Sequence, residues 1–148
     1  RLFGIRVFFT AQSPDKLGPV EAGLLEKAGF SENPEQHVIP KTAFSAMHVE
    51  ALVDELLPHG VNHLLVTGVE TSICVYQTAL GAVDREIEVT LLSDCIGGRR
   101  PGDAAPVIDT LREAGCYILP SEAVFYSMVN NADHPAFRDF NRLVKRYS

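Results

Sequence analysis

The chain has 148 residues, 46% of them hydrophobic and 22% charged, which is the size and composition of one globular domain. Its formal net charge of −6 disfavours nucleic-acid binding, because phosphate backbones repel an acidic surface and the best basic candidate, Arg99-Arg100, is short. Three cysteines without a Cys-x-x-Cys pair disfavour a disulfide framework, a thioredoxin-type redox site and a zinc ribbon. With no apolar run of about 20 residues and no signal peptide in the sequence, we expect a cytoplasmic protein that does not enter a membrane.

Strand-like and helix-like segments alternate along the chain. Strands are predicted at residues 5–10, 38–40, 63–67, 89–92 and 116–119, where short apolar, β-rich runs occur. Helices are predicted at residues 20–27, 48–57, 71–85, 103–114, 122–130 and 135–145. In the last helix we expect a buried face formed by Phe137, Phe140, Leu143 and Val144. This alternation predicts a single α/β domain, residues 1–148, with a parallel sheet covered by helices on both faces.

The beginning of the chain departs from an ordinary domain start. The sequence opens at Arg1 without Met, and a strand-like run begins at Ile5. A domain rarely opens so close to a core strand. We therefore expect a segment upstream of Arg1 and an N-terminally incomplete domain.

Cys74 is the first candidate for chemistry. Ligands bind beyond the carboxyl ends of parallel strands, which selects the loops after Thr10, Thr67 and Leu92. Cys74 lies in the first predicted turn after the second of these loops, where free N–H groups and the helix dipole favour a thiolate. The alternative is a small buried hydrophobe that packs under the helix.

Lys41 is the second candidate, in the run Ile-Pro-Lys-Thr-Ala-Phe-Ser. Its ammonium would stabilise a thiolate at Cys74 if the two side chains were adjacent. The alternative is a solvated surface lysine, and sequence spacing does not decide between them.

The remaining candidates carry weaker signals. A phosphatase-type loop needs an Arg six positions after its cysteine, whereas Arg99 and Arg100 follow Cys95 at four and five, so we expect residues 95–102 to form a plain loop. Asp94 either takes part in catalysis or caps that loop. We expect Cys116 to lie in the core, and the scattered histidines predict no metal site.

Several segments together resemble the isochorismatase-like cysteine hydrolases. Gly-Val-Glu-Thr-Ser-Ile-Cys-Val at residues 68–75 resembles the nucleophile segment of that family, and Pro-Lys-Thr-Ala-Phe-Ser at residues 40–45 resembles its lysine motif. Residues 10–19, 121–123 and 131–137 are similar to the subgroup of isochorismatase domain-containing proteins. The resemblance covers the whole chain and implies a three-layer α/β/α, Rossmann-like hydrolase fold.

The resemblance also implies an Asp, Lys and Cys triad. Cys74 would attack a carbonyl-like carbon, Lys41 would hold the thiolate, and the Asp would move protons. A cis peptide is implied at Val69-Glu70, with the backbone N–H groups of Glu70 and Cys74 forming an oxyanion hole. The substrate pocket implied by the resemblance comprises Gln12, Phe44, Ser45, Glu70 and Thr71.

The family Asp stands on a first strand that precedes everything in this sequence, so that strand is missing from the chain as given. Either the protein continues upstream, which we favour, or the chain is complete and catalytically degenerate. The loop at residues 12–18 contains no histidine, which disfavours the metal cluster of the family's nicotinamidases. We therefore expect a hydrolase of a small amide or ester that uses no metal or cofactor and forms a homo-oligomer. A binding or scaffold protein with the same fold is the alternative, and a ribonuclease is a lesser one.

Overall fold

The computed structural model of the chain describes residues 2–30 and 37–147. Five strands lie in these residues: β1 (Phe9–Gln12), β2 (Val38–Lys41), β3 (His63–Val69), β4 (Glu88–Gly97) and β5 (Tyr117–Leu119). β1 and β2 form one parallel sheet, and β3, β4 and β5 form a second parallel sheet in that order. The single sheet predicted from the sequence is therefore divided in two.

Helices connect and follow these strands. They are α1 (Pro14–Leu17), α2 (Ala22–Lys27), α3 (Glu50–Leu56), α4 (Tyr76–Val83), α5 (Ala104–Glu113), α6 (Ser121–Val129) and α7 (Phe137–Tyr147). Short 3-10 turns lie at Ala46–His48, Leu57–His59 and Pro101–Asp103, and a π-helical turn at Thr71–Val75. Within the described ranges, no helix is long and apolar enough to cross a membrane.

The main core lies where α3, α4 and α5 cover β3 and β4. Its fully buried members include Leu56 of α3, Ala79 of α4, Leu111 of α5 and Leu91 of β4. Apolar residues recur on one side of α3, as the predicted helix at residues 48–57 requires. Gly60, at φ 62°, takes the left-handed conformation that reverses the chain after this helix. The core thus fixes β3, and with it the segment that follows.

Three predicted features are wrong in detail. β1 begins at Phe9 rather than at residue 5, because it pairs with β2 alone and only over Phe9–Gln12. β4 continues through Cys95 to Gly97, so the predicted loop at residues 95–102 begins later. Leu143 of α7 is 54% exposed rather than buried, whereas Phe140 on the same helix lies in the core.

A cleft separates the two sheets. Within the described residues, β1 has no strand partner on its other side, and β3 likewise pairs with β4 alone. An apolar cavity of about 740 Å³ lies there, lined by residues of both sheets such as Thr10, Leu64 and Val66, and by Met47, Leu56 and Phe140. Both sheets therefore present an unpaired edge toward the same space.

Candidate active site

The paired ends of β1 and β2 provide the first half of the site. Gln12 and Lys41 are register partners at the carboxyl ends of these two strands. The Ser13 N–H continues the pairing by donating to the Lys41 carbonyl at 2.8 Å. Because the two residues are aligned across the sheet, their side chains meet without any long loop to position them.

The Lys41 ammonium is enclosed by acceptors. Only 7% of the residue is exposed. Its Nζ donates to Gln12 Oε1 at 2.6 Å, to the Phe44 carbonyl at 2.9 Å and to the Ala43 carbonyl at 3.1 Å. Gln12 is itself held by its Nε2, which donates to the Thr42 carbonyl at 2.8 Å. The sequence alternative of a solvated surface lysine is therefore wrong.

Cys74 provides the second half of the site. Its Sγ lies 3.6 Å from Lys41 Nζ and 4.0 Å from Gln12 Oε1, and its side chain is half-buried. The turn that carries it is anchored by the Glu70 carbonyl, which accepts the N–H groups of Ile73 and Val75 at 3.1 Å each. The structure thus brings together a thiol and an ammonium that are 33 residues apart in sequence.

Thr71 begins a π-helical turn rather than the α-helix predicted from residue 71. The π-helical turn at Thr71–Val75 separates it from α4, and none of the described residues offers its buried hydroxyl a hydrogen-bond partner. A buried hydroxyl without a partner is rare in a folded protein. Thr71 Oγ1 is therefore available to a group outside the described residues.

Glu70 makes a contact that the sequence did not indicate. The peptide bond between Val69 and Glu70 is cis, at the position where the resemblance implies one. The Glu70 carboxylate accepts the backbone N–H of Arg99 at 3.2 and 3.3 Å. The sequence signal that bears on this contact is the Gly97-Gly98 pair, since a side chain at Gly98 would occupy the same space.

The other two residues of the implied pocket differ in accessibility. Phe44 is 51% exposed, whereas Ser45 is only 1% exposed. The Ser45 hydroxyl accepts the Met47 N–H at 3.2 Å and so caps the short turn that follows. The burial of Ser45 and this hydrogen bond indicate that its role is to stabilise the turn rather than to contact a substrate.

Asp94 and the remaining cysteines lie in other surroundings. Asp94 accepts the Ser121 N–H at 2.7 Å and the Ser121 hydroxyl at 2.5 Å, so it caps the start of α6 and not the loop after β4. These hydrogen bonds lower the pKa of Asp94. Burial raises the pKa of the Cys116 thiol, and burial together with the Asp94 charge raises that of Cys95. Both shifts favour the protonated thiol.

Across residues 2–30 and 37–147, no three His, Cys, Asp or Glu side chains are grouped closely enough to hold a metal ion.

Comparison with known proteins identifies the family. A family model described as the isochorismatase domain matches residues 1–123. The chain belongs to the isochorismatase family. Isochorismatase domain-containing protein 2 of Bos taurus is 32% identical over 151 aligned residues, which cover 100% of this chain and 69% of the relative. Isochorismatase domain-containing protein 1 of Danio rerio is 32% identical over 148 residues, covering 98% of this chain and 49% of the relative.

A solved structure has the same architecture. The MAR1 ribonuclease from Caenorhabditis elegans superposes with a TM-score of 0.85 at 28% identity, covering 97% of this chain and 71% of that chain. The predicted family, its subgroup and the three-layer α/β/α hydrolase fold are confirmed. The chain spans between about half and about seven-tenths of the length of the relatives it matches.

Proposed function

We propose that this isochorismatase domain hydrolyses a small amide or ester, with Cys74 as nucleophile and Lys41 as its cationic partner. The observation that carries the proposal is the 3.6 Å approach of Lys41 Nζ to Cys74 Sγ at the carboxyl ends of the strands. An ammonium at that distance favours the thiolate, which is the reactive form of a cysteine. Phe44, which is 51% exposed, contacts Lys41 through its backbone carbonyl.

The proposed reaction has two steps. The Cys74 thiolate attacks the carbonyl carbon, the bond from that carbon to nitrogen or oxygen breaks, and the leaving group takes a proton from the general acid. In the second step, water gives a proton to the same group, now acting as the general base, and attacks the thioester carbon. The carbon–sulfur bond then breaks, which releases the acid and regenerates the Cys74 thiolate. The backbone N–H groups of Glu70 and Cys74 would stabilise the negative oxygen in each step.

The general acid and base of this proposal is an Asp outside the chain as given. The resemblance places that Asp at the end of a strand upstream of Arg1. The cleft between β1 and β3 suits an added parallel strand, because both of its edges are unpaired within the described residues and its lining is apolar. The carboxyl end of such a strand would lie between Gln12 of β1 and Val69 of β3.

The proposal is tested by trapping the thioester. The protein is mixed with p-nitrophenyl acetate and the three cysteine peptides are examined by mass spectrometry. We expect acetyl groups on Cys74 before Cys95 or Cys116, and we expect Cys74→Ser to lose the fast release of p-nitrophenol. Equal or slower labelling of Cys74 would contradict the proposal and favour the scaffold alternative.

A ribonuclease activity is the second candidate, since the structural relative from Caenorhabditis elegans carries that name. The net charge of −6 weighs against it, because an RNA backbone needs a basic surface. The two candidates separate in one assay. RNA cleavage that persists unchanged in Cys74→Ala, with no acetyl adduct in the wild type, would replace the acyl-hydrolase proposal.

A further inference from the structure

Glu70 connects two parts of the site in a way that the reaction scheme does not use. Its backbone carbonyl accepts two N–H groups of the Cys74 turn, from Ile73 and Val75. Its carboxylate accepts the Arg99 N–H just beyond the end of β4. One residue therefore holds both the nucleophile turn and the neighbouring strand.

Space for this connection exists because residue 98 is glycine. A Cβ built at Gly98 would lie 2.7 Å from Glu70 Oε2 and 3.6 Å from the Thr71 backbone nitrogen. Carbon and oxygen atoms do not approach to 2.7 Å without displacement, so any side chain here would push the Glu70 carboxylate away from the Arg99 N–H. The adjacent Gly97 provides a contrast, since a Cβ there meets nothing within 4 Å.

We infer that Gly98 is a positioning residue for Cys74. Because Gly98 has no side chain, the Glu70 carboxylate has room to accept the Arg99 N–H, and this hydrogen bond positions the turn that carries Cys74. With the carboxylate bound, the turn at Thr71–Val75 is held in register with β4, and Cys74 Sγ is held at its distance from Lys41 Nζ. With the carboxylate displaced, the turn loses its lateral support, while the core under α4 remains intact. This inference rests on the proposed role of Cys74.

The first test measures the connection without requiring any reaction. Amide hydrogen exchange of residues 70–75 is compared in wild type, Gly98→Ala and the matched control Gly97→Ala. We expect Gly98→Ala to exchange at least about threefold faster in this segment, with an unchanged midpoint of thermal unfolding. Gly97→Ala should match the wild type. Equal exchange in the two alanine variants would overturn the inference.

The second test measures the consequence for Cys74. The rate of iodoacetamide labelling at Cys74 should fall roughly three- to tenfold in Gly98→Ala, because small displacements of a reacting group have large kinetic effects. Glu70→Ala should slow labelling to a similar extent, and adding Gly98→Ala to it should cause no further loss. Glu70→Gln should recover most of the rate, because its amide oxygen can accept the Arg99 N–H.

The outcomes separate this inference from the proposed function. If Cys74 of the wild type labels no faster than Cys95, the proposed function fails, and hydrogen exchange alone decides the Gly98 connection. If wild-type Cys74 is reactive and Gly98→Ala labels at the rate of Gly97→Ala, the positioning inference fails and the proposed function stands.

Discussion

Replacement of Lys41 by Met should strongly reduce the reactivity of Cys74. A unit charge on Nζ at 3.6 Å from the thiolate contributes about 5 kcal/mol at an effective dielectric constant of about 20, and about 1 kcal/mol in bulk water. Cys74 is half-buried, so we take an intermediate value of about 2 kcal/mol. Loss of that free energy corresponds to a decrease of about 30-fold in the labelling rate.

The assay is iodoacetamide labelling of the Cys74 peptide near neutral pH, followed by mass spectrometry. Lys16→Met is the matched control, because Lys16 is exposed in α1 and its loss should leave the rate unchanged. Circular dichroism must first establish that Lys41→Met is folded, since three part-buried acceptors lose their donor. Lys41→Arg keeps the charge and serves as a second variant. A folded Lys41→Met that labels within twofold of wild type would refute the reasoning.

Three further predictions follow from individual contacts. Gln12→Glu places a carboxylate 2.6 Å from Lys41 Nζ and 4.0 Å from Cys74 Sγ. Because this carboxylate would repel a negatively charged Cys74 sulfur, which the neutral wild-type amide does not, labelling of Cys74 should slow by roughly tenfold. The folded-state pKa of Asp94 is lowered, so the stability that its carboxylate contributes is present above the unfolded-state pKa and is lost as pH falls through the folded-state pKa. In urea unfolding, the free energy of unfolding should therefore fall less between pH 7 and pH 3 in Asp94→Asn than in wild type. Gly81→Ala should destabilise the protein by about 1–3 kcal/mol in urea unfolding, because the new Cβ would lie 3.0 Å from Met47 and 3.1 Å from the buried Ser45 hydroxyl. Gly102→Ala is the control, because a Cβ there meets nothing within 4 Å and should leave the stability unchanged.

The order of helices and strands could be predicted from the sequence because burial of one face requires apolar residues at regular spacing along each element. The predicted strand at residues 63–67 lies within β3, and the predicted helix at residues 103–114 contains α5 with one residue to spare at each end. Boundaries depend instead on neighbours. β4 extends to Gly97 because Ile96 and Gly97 pair with the end of β3 after a register shift, and no local pattern encodes that pairing.

The candidate site was predictable in part. The rule for parallel sheets places Cys74 beyond a strand end without reference to any other residue. The rule does not place Lys41, whose proximity depends on how β2 lies relative to β3, and these strands belong to separate sheets in the described residues. The Glu70 contact with Arg99 was missed because its sequence signal, the Gly97-Gly98 pair, is equally typical of a plain turn. Asp94 was assigned to the wrong cap because Ser121 is 27 residues away in the chain.

The surroundings of Lys41 support its proposed pairing with Cys74 independently of family resemblance. A buried ammonium is costly to hold away from water unless it is hydrogen-bonded and paired with negative charge. Three of its four observed partners are neutral oxygens, which satisfy its N–H groups but carry no net charge. The fourth is Cys74 Sγ, the member of the set that can lose a proton. A carboxylate introduced into the site by Gln12→Glu will therefore compete with Cys74 for the same ammonium.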